Sequence, residues 1–176
     1  MHLRGGVTLV LGLILVAAWP ARAAAPSLQI TAVPKLDEDK RKSIGAASQV
    51  AVGVLNGFYR VMVKNTSFME GAPSLTAKYR VFVLRDDGKK NLREVKPQRI
   101  PGEASITALK PGATGTFDTS SIKLSKTSLD SSYYYTNNQR QTSKDTLDGI
   151  WVRLYDGDKM VAEFISSSKL PKLGAF

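Results

Sequence analysis

Two stretches of this chain alternate cations with aromatic rings, a pattern from which an anion-binding surface can be built. Every second side chain of an extended strand points to the same face. The residues concerned are Lys78, Arg80, Phe82, Trp151, Arg153 and Tyr155.

Guanidinium groups bind carboxylate and sulfate oxygens in pairs, and they also stack on rings. If the two strands are neighbours, the six side chains share one outer surface. Such a surface could bind an acidic glycan or an acidic protein. The simpler interpretation is a solvated sheet face on which Arg stems cover the rings.

A second candidate binding region lies in the long polar stretch of residues 125–146. Loops of this length are uncommon in compact domains and are often functional. The stretch contains Tyr133, Tyr134, Tyr135, Asn137 and Asn138. Tyrosine gives contact area at small entropic cost and amides give adaptable hydrogen bonds, a combination typical of binding loops. A partly ordered loop or a covering strand is an equal alternative, and composition does not separate a glycan from a protein as the ligand.

Composition narrows the catalytic chemistry open to this chain. It has no cysteine, and its one histidine, His2, lies in the export signal predicted below. A chain without either residue forms no Ser-His-Asp or Cys-His nucleophile and no His- or Cys-ligated zinc site. A carboxylate pair could hydrolyse a glycoside, with Asp118, Asp148 and Glu163 as candidates, but nothing in the sequence holds two of them across a cleft. We expect a protein that is not an enzyme and uses no cofactor.

Two acidic turns superficially resemble calcium-binding loops, at residues 86–88 and 156–158. Calcium needs six to eight oxygen ligands, and the EF-hand spacing with its terminal Glu is absent. Asp and Gly are also the residues that a tight hairpin turn requires. No metal site is expected.

Residues 1–23 have the pattern of a cleaved export signal. Arg4 precedes an apolar run over residues 7–18, and Pro20 is followed by the small-x-small sequence Ala21-Arg22-Ala23. The run is short for a membrane span, so no transmembrane segment is expected after cleavage. The working protein is then one domain, residues 24–176, located in the periplasm, on the outer surface or outside the cell. A cysteine-free exported chain favours a bacterial source.

The charge of the predicted domain indicates polyanionic partners. Arg4 and Arg22 would leave with the signal, which lowers the formal net charge from +10 to +8. A basic surface attracts phosphate, but export argues against nucleic acid. Anionic lipids, cell-wall polymers, acidic glycans or acidic envelope proteins are the expected partners.

The elements that must position these residues are short strands. Alternation is clearest at residues 75–84 and 149–155, where Tyr79, Val81, Val83, Ile150, Val152 and Leu154 are expected to face the core. Residues 156–159 predict a hairpin turn into a strand at 160–165, whose buried face is ambiguous because both faces are partly apolar. Other strands are predicted at 27–33, ended by Pro34, at 92–100, at 104–109 and at 114–124, with a turn at 110–113. Residues 49–64 predict two segments broken at Gly57, and residues 35–42 a charged loop or helical turn.

Seven to nine short strands with no apolar pattern of helical period predict an all-β fold, an antiparallel β-sandwich. Parallel α/β folds are excluded because the crossover helices are missing. A closed up-and-down barrel is the alternative.

The order of elements resembles an immunoglobulin-like fold. The resemblance is carried by residues 58–63, 79–84, 109–112 leading to Phe117, 149–157 and 160–163. The series is similar to exported single-domain immunoglobulin-like proteins found with pilus-like gene clusters in mucus-associated bacteria. It spans residues 54–163 and consists of strand rhythm, without a chemical motif. It implies a structural or adhesive envelope component and brings no active site.

The function expected from these observations is binding or assembly at the cell envelope or surface, with pilus-like proteins among the partners. A carbohydrate-binding module for acidic glycans is the alternative, and a carboxylate-based glycosidase is a more distant one.

Overall fold

The computed structural model describes residues 27–38, 50–86, 96–129 and 142–167, together with Leu170. These residues contain nine β-strands and no α-helix. The strands are β1 (Leu28–Glu38), β2 (Val50–Asn65), β3 (Leu75–Leu84), β4 (Gln98–Ile106), β5 (Thr114–Asp118), β6 (Ile122–Leu129), β7 (Thr142–Lys144), β8 (Thr146–Asp156) and β9 (Lys159–Ile165). No helix among them is long and apolar enough to cross a membrane.

The strands form two antiparallel sheets. The first has the order β1-β2-β6-β7, with β5 also paired to β2, and the second has the order β4-β3-β8-β9. The all-β class is confirmed, and the nine strands lie within the predicted number. Two separate sheets that share a core agree with the predicted sandwich and not with a single closed sheet.

One hydrophobic core lies between the two sheets, and both contribute to it. Strand alternation predicts the inward faces of β3 and β8 correctly, because each of these strands has a sheet neighbour on both sides and one face in the core. The residues buried in the core from the central strands include Tyr59, Val61, Val63, Ala77, Tyr79, Val81, Val83, Ile122, Leu124, Ile150, Val152 and Leu154.

Strand β1 is longer than predicted. We expected Pro34 to end it and residues 35–42 to form a loop or helical turn, but β1 continues through Pro34 to Glu38. Pro34 pairs with Tyr59 of β2, and β1 is an edge strand of its sheet. A proline is tolerated there because its missing N–H can face away from the ladder.

Strand β2 is one strand of 16 residues and not the predicted two. Its second neighbour changes along its length: β6 pairs with Val50 to Gly57, and β5 pairs with Arg60 to Lys64. Gly57 lies at the change, where a Cβ would stand 2.7 Å from Leu124 Cδ1. The glycine thus marks a close approach of side chains, and the strand does not break there.

The predicted strand at 114–124 is two strands. Thr119 separates β5 from β6: its hydroxyl accepts the Tyr59 N–H at 2.9 Å, and its own N–H donates to the Tyr59 carbonyl at 2.9 Å. The side chain thereby replaces one rung of the ladder. Residues 125–129 and 142–144, predicted as loop, belong to β6 and β7.

Strands were predicted at 92–100 and 104–109, of which residues 92–95 lie outside the described part of the chain. The described residues form the single strand β4, which passes through Pro101 and Gly102. This pair has the composition of a turn, but Tyr79 lies opposite Gly102 in the register. A Cβ at Gly102 would overlap the Tyr79 ring. Glycine is therefore present because the ring needs the space.

The turns predicted at 110–113 and 156–159 are confirmed. Gly112 and Gly157 have φ values of 72° and 56°, the left-handed region that favours glycine. The ambiguous face of β9 is resolved by an irregularity in the β8–β9 ladder between Leu154 and Tyr155. It allows Val161, Ala162 and Phe164 all to pack against the core.

Candidate functional site

The candidate site is the outer face of the second sheet, which strands β3 and β8 build together. The two strands are direct neighbours, with Lys78 opposite Arg153 and Arg80 opposite Trp151. Tyr155 lies opposite Thr76, one step further along. The register therefore brings the cations of both predicted stretches to one surface.

Two cations of this face lie over aromatic rings. Lys78 Nζ is 5.1 Å from the centre of the Tyr155 ring, and Arg153 Cζ is 4.8 Å from the centre of the Trp151 ring. Such pairs contribute about 0.5–1 kcal/mol where they are exposed. They also hold the two cations in defined positions on the sheet.

Glu163 of β9 is a counter-charge on this face, whereas the sequence analysis considered it only as a member of a hydrolytic carboxylate pair. One of its carboxylate oxygens accepts hydrogen bonds from Arg153 Nε at 2.6 Å and from Trp151 Nε1 at 2.9 Å. The bond from Arg153 has the larger effect, and the two bonds lower the pKa of Glu163 below its usual value. Burial, the largest single effect, acts to lower the pKa of Arg153, but the hydrogen bonds and charge interactions with Glu163 and Tyr155 together raise it. The positive charge of Arg153 is therefore partly compensated by the carboxylate of Glu163.

Two members of the predicted aromatic face are buried. Phe82 and Trp151 are 1% and 6% exposed, and they form a second small cluster with Leu170, which is 1% exposed. Leu170 lies outside every strand, so strand alternation gave no sign that it covers this face. The two rings are not accessible to a ligand that would stack on them.

The accessible part of the face is a cation band, formed by Lys78, Arg80 and Arg153. Beside it a shallow groove of about 500 Å³ runs between β3 and β4. Tyr79 and Gly102 also line it. Pro101 and Glu103 form its other side, and Glu103 stands opposite Lys78. The groove thus has cations along one side and a single carboxylate on the other.

The Tyr-rich segment is not part of this geometry. Tyr133, Tyr134, Tyr135, Asn137 and Asn138 lie outside the described residues. The strands that flank the segment pair as far as Ser128 with Thr142. Its role in binding stays a prediction.

A buried carboxylate that sequence reasoning missed joins the two sheets. Asp145 is 6% exposed. It accepts hydrogen bonds from Arg85 Nη1 at 2.8 Å and from the N–H groups of Asp86 and Ser125 at 3.0 Å. Burial acts to raise its pKa, but these bonds outweigh burial and the pKa is lowered. These contacts tie the end of β3 to β6 and give the carboxylate a structural role.

The other two candidate carboxylates of the sequence analysis, Asp118 and Asp148, have separate surroundings. Asp118 forms a two-bond ion pair with Arg60, at 2.8 Å for each bond, and this lowers its pKa. Burial raises the pKa of Tyr59 to about 12, and the negative charge of Asp148 contributes to the rise. Within the described part of the chain, no three acidic or histidine side chains are close enough to hold a metal ion.

Comparison with known proteins yields few similarities. No protein-family model matches the chain, and no curated protein matches it. A crystal structure of a protein from Akkermansia muciniphila is 12% identical with a TM-score of 0.30, over 80% of this chain and 72% of that one. The ApaA protein of Bordetella pertussis is 12% identical with a TM-score of 0.36, over 81% and 95%. A β-glucosidase from Kluyveromyces marxianus in complex with glucose is 14% identical with a TM-score of 0.25, over 77% and 14%. Similarities at these scores transfer neither fold nor function.

Proposed function

We propose that this chain is an exported immunoglobulin-like domain that acts by binding or assembly at the cell envelope or surface, and that it is not an enzyme. The observation that carries the proposal is the cation band. Three cations on two adjacent central strands, two of them held over rings, form a preorganised surface for an acidic partner. Preorganisation matters because side chains that are already ordered lose less entropy on binding.

The strand order supports the immunoglobulin-like part of the proposal. Constant-type domains of this class have sheets with the orders A-B-E-D and C-F-G, and variable-type domains add C′ and C″ beside C. With β1, β2 and β6 as A, B and E, three strands of the first sheet follow that order. The first sheet departs from it in β7, which stands in the place of D but follows E in the chain, and in β5, which pairs with β2. With β4, β3, β8 and β9 as C′, C, F and G, the second sheet has the variable-type order without C″. The export signal at residues 1–23 is the other part of the proposal, and N-terminal sequencing of the mature protein tests it.

The partner we favour is an acidic face of an envelope or pilus-like protein. Sugar-binding surfaces commonly use an open aromatic platform, and Trp151 is buried while Lys78 covers the Tyr155 ring. One observation keeps the acidic-glycan alternative in play. The groove beside Lys78 and Arg80 is open and could admit a sulfate or carboxylate of a chain-like ligand.

The glycosidase alternative has little support. A hydrolase of this kind needs one carboxylic acid with a raised pKa to protonate the leaving group. The pKa values of Asp118 and Glu163 are both lowered by their arginine partners. Each of these carboxylates is held in its own ion pair, one on each sheet.

The test replaces the cation band with uncharged side chains. In Lys78→Gln/Arg80→Gln/Arg153→Gln, glutamine keeps part of each stem while removing the charge. We expect the tagged protein to lose most of its retention on envelope fractions of its own cells. Retention of the wild type should weaken between about 0.05 M and about 0.5 M NaCl, because salt screens exposed charges.

The matched control removes the same number of charges from the other sheet, where Lys64 of β2 and Lys123 and Lys126 of β6 are exposed. Lys64→Gln/Lys123→Gln/Lys126→Gln should keep its retention. Equal loss in both variants would point to net charge alone and contradict a specific surface. An array of sulfated, sialylated and neutral glycans separates the alternative, which requires an acidic-glycan signal that the cation-band variant loses.

A further inference from the structure

Two large apolar side chains project from the loop between β2 and β3 into solvent. Phe68 is 94% exposed and Met69 is 92% exposed. Isolated exposed apolar residues are ordinary, but two adjacent side chains exposed almost completely form a local apolar feature of the surface. We name this pair the apolar knob.

The loop that carries the apolar knob is firmly held. Asn65, which is fully buried, accepts the Ser67 N–H at 3.0 Å and donates to the Glu70 carbonyl at 2.8 Å. The Ser67 hydroxyl accepts the Glu70 N–H at 3.0 Å, and the Ser67 carbonyl accepts the Gly112 N–H at 3.2 Å. The knob is therefore presented by an ordered backbone, which lowers the entropy lost when it is buried.

The same molecule has an apolar cavity of about 230 Å³ at the far end of the sandwich. Its apolar lining comes from both sheets, and Lys144, Asp145 and Thr146 complete the wall. Leu36, 52% exposed, stands where the cavity meets solvent. We call this space the leucine cavity, after its apolar lining residues Pro34, Leu36, Leu55, Leu124 and Leu147.

The knob and the cavity match in size and chemistry. An engineered protein cavity of about 150 Å³ with leucine-type walls takes up benzene. The leucine cavity is larger than that, and five of its eight lining residues are apolar, so a phenyl ring fits within it. Burying a phenylalanine side chain removes its apolar surface from water, which stabilises the contact.

The knob of one molecule cannot reach its own cavity. Strand β3 starts next to the knob loop, and its last residue, Leu84, pairs with Thr146 in the cavity wall. Ten residues of strand span about 30 Å. A contact between the two features therefore joins two molecules.

We propose that the apolar knob of one copy of this chain inserts Phe68 into the leucine cavity of a second copy. The inference rests on the proposed function in assembly and names a second copy as one partner. The contact uses different surfaces on the two molecules, and such a head-to-tail contact builds an open series unless its rotation closes a ring. Phe68 and Met69 bury only a few hundred Å² per molecule, less than a standard interface. The association is accordingly weak and depends on concentration.

Sedimentation velocity of the mature protein over a wide concentration range tests the proposal. We expect the average mass to rise continuously with concentration. Phe68→Ser/Met69→Ser removes the knob, and Leu36→Glu places a charge at the mouth of the cavity. Each variant should need at least about tenfold more protein for the same average mass. Both changes are at exposed positions, so folding is expected to be retained and is checked by circular dichroism.

Mixing the two variants is the decisive step. Each keeps the half that the other lacks, so an equimolar mixture should form one-to-one dimers that do not grow further. Met160→Ser and Val33→Thr, at other exposed apolar positions, should associate like the wild type. The cation-band variant should also associate like the wild type. A negative result for self-association therefore leaves the test of the proposed function unaffected.

Three results would overturn the inference. One is a monomer at every concentration, and another is association that persists in Phe68→Ser/Met69→Ser. The third is binding of monomeric protein to phosphatidylglycerol vesicles through the knob, without self-association, which would assign the knob to a lipid surface.

Discussion

Asp145 is the single residue between the last strand of the first sheet and the long strand of the second. Its carboxylate receives one charged and two backbone donors, and Arg85 also donates to the Lys123 carbonyl at 2.7 Å. The end of β3, the body of β6 and the corner before β8 are thus tied at one point. Removing a buried acceptor leaves its donors without a partner, which lowers the free energy of unfolding. The corner therefore depends on this residue more than on any exposed ion pair.

We therefore predict that Asp145→Asn lowers the free energy of unfolding by about 2–4 kcal/mol at neutral pH, measured by urea denaturation. The folded-state pKa lies below the ordinary value. The stability from the ionised form is then complete above the unfolded pKa, about 3.9, and is lost as pH falls through the folded pKa. The gap between wild type and variant should narrow below about pH 4.

Asp118→Asn is the matched control at the residue scale. Asp118 and Arg60 have side chains that are 40% and 48% exposed, and exposed pairs contribute little to stability. If this variant were as destabilised as Asp145→Asn, the corner would have no special role.

At the scale of elements, the β3–β8 pair buries apolar side chains on both of its faces. The inner face joins the main core, and part of the outer face, Phe82 and Trp151, is covered by Leu170. Closer to the β8–β9 turn the same outer face carries Lys78, Arg153 and Tyr155. One strand pair therefore supplies a buried patch and a charged patch on the same side of the sheet.

Leu170→Ala should uncover the patch formed by Phe82 and Trp151. Truncating a buried leucine lowers the free energy of unfolding by about 2–5 kcal/mol. Trp151 is the sole tryptophan after the predicted signal, which contains Trp19. Its fluorescence emission should move to longer wavelength in the folded variant as water reaches the ring.

Met160→Ala serves as the comparison, because Met160 is 48% exposed on β9. It should change neither stability nor emission appreciably. An unchanged spectrum in Leu170→Ala would show that other residues cover Trp151.

For the whole molecule, charge is the dominant property of the predicted mature domain. The cation band is opposed by Glu163, which bonds Arg153 directly, and by Glu103 across from Lys78. The number of uncompensated cations, more than the total charge, is expected to set affinity for a polyanion.

Glu163→Gln removes one counter-charge and should strengthen binding to heparin, a convenient polyanion. The expected readout is elution from a heparin column at higher NaCl than the wild type, with Lys78→Gln eluting at lower NaCl. Lys123→Gln on the other sheet should shift elution less than Lys78→Gln does. Identical elution of Glu163→Gln and wild type would mean that this face does not contact the polyanion.

The sequence alone determined the features that depend on local pattern. Period-two alternation identifies the inward residues of β3 and β8, such as Val81 and Val152, because each strand exposes its two faces to different surroundings. The Asp-Gly turn before β9 follows from the left-handed backbone at Gly157. The absence of cysteine excludes thiol chemistry, and the position of His2 in the predicted export signal predicts a mature chain without histidine.

Only the tertiary structure decided which segments meet. The continuation of β1 past Pro34 and the change of partner along β2 depend on neighbours distant in the chain, which a local pattern does not encode. The covering of Trp151 by Leu170 and the bonds of Asp145 have the same origin. The cation band is therefore predictable in its residues, whereas its counter-charge, its groove and its buried rings follow from how the strands are ordered.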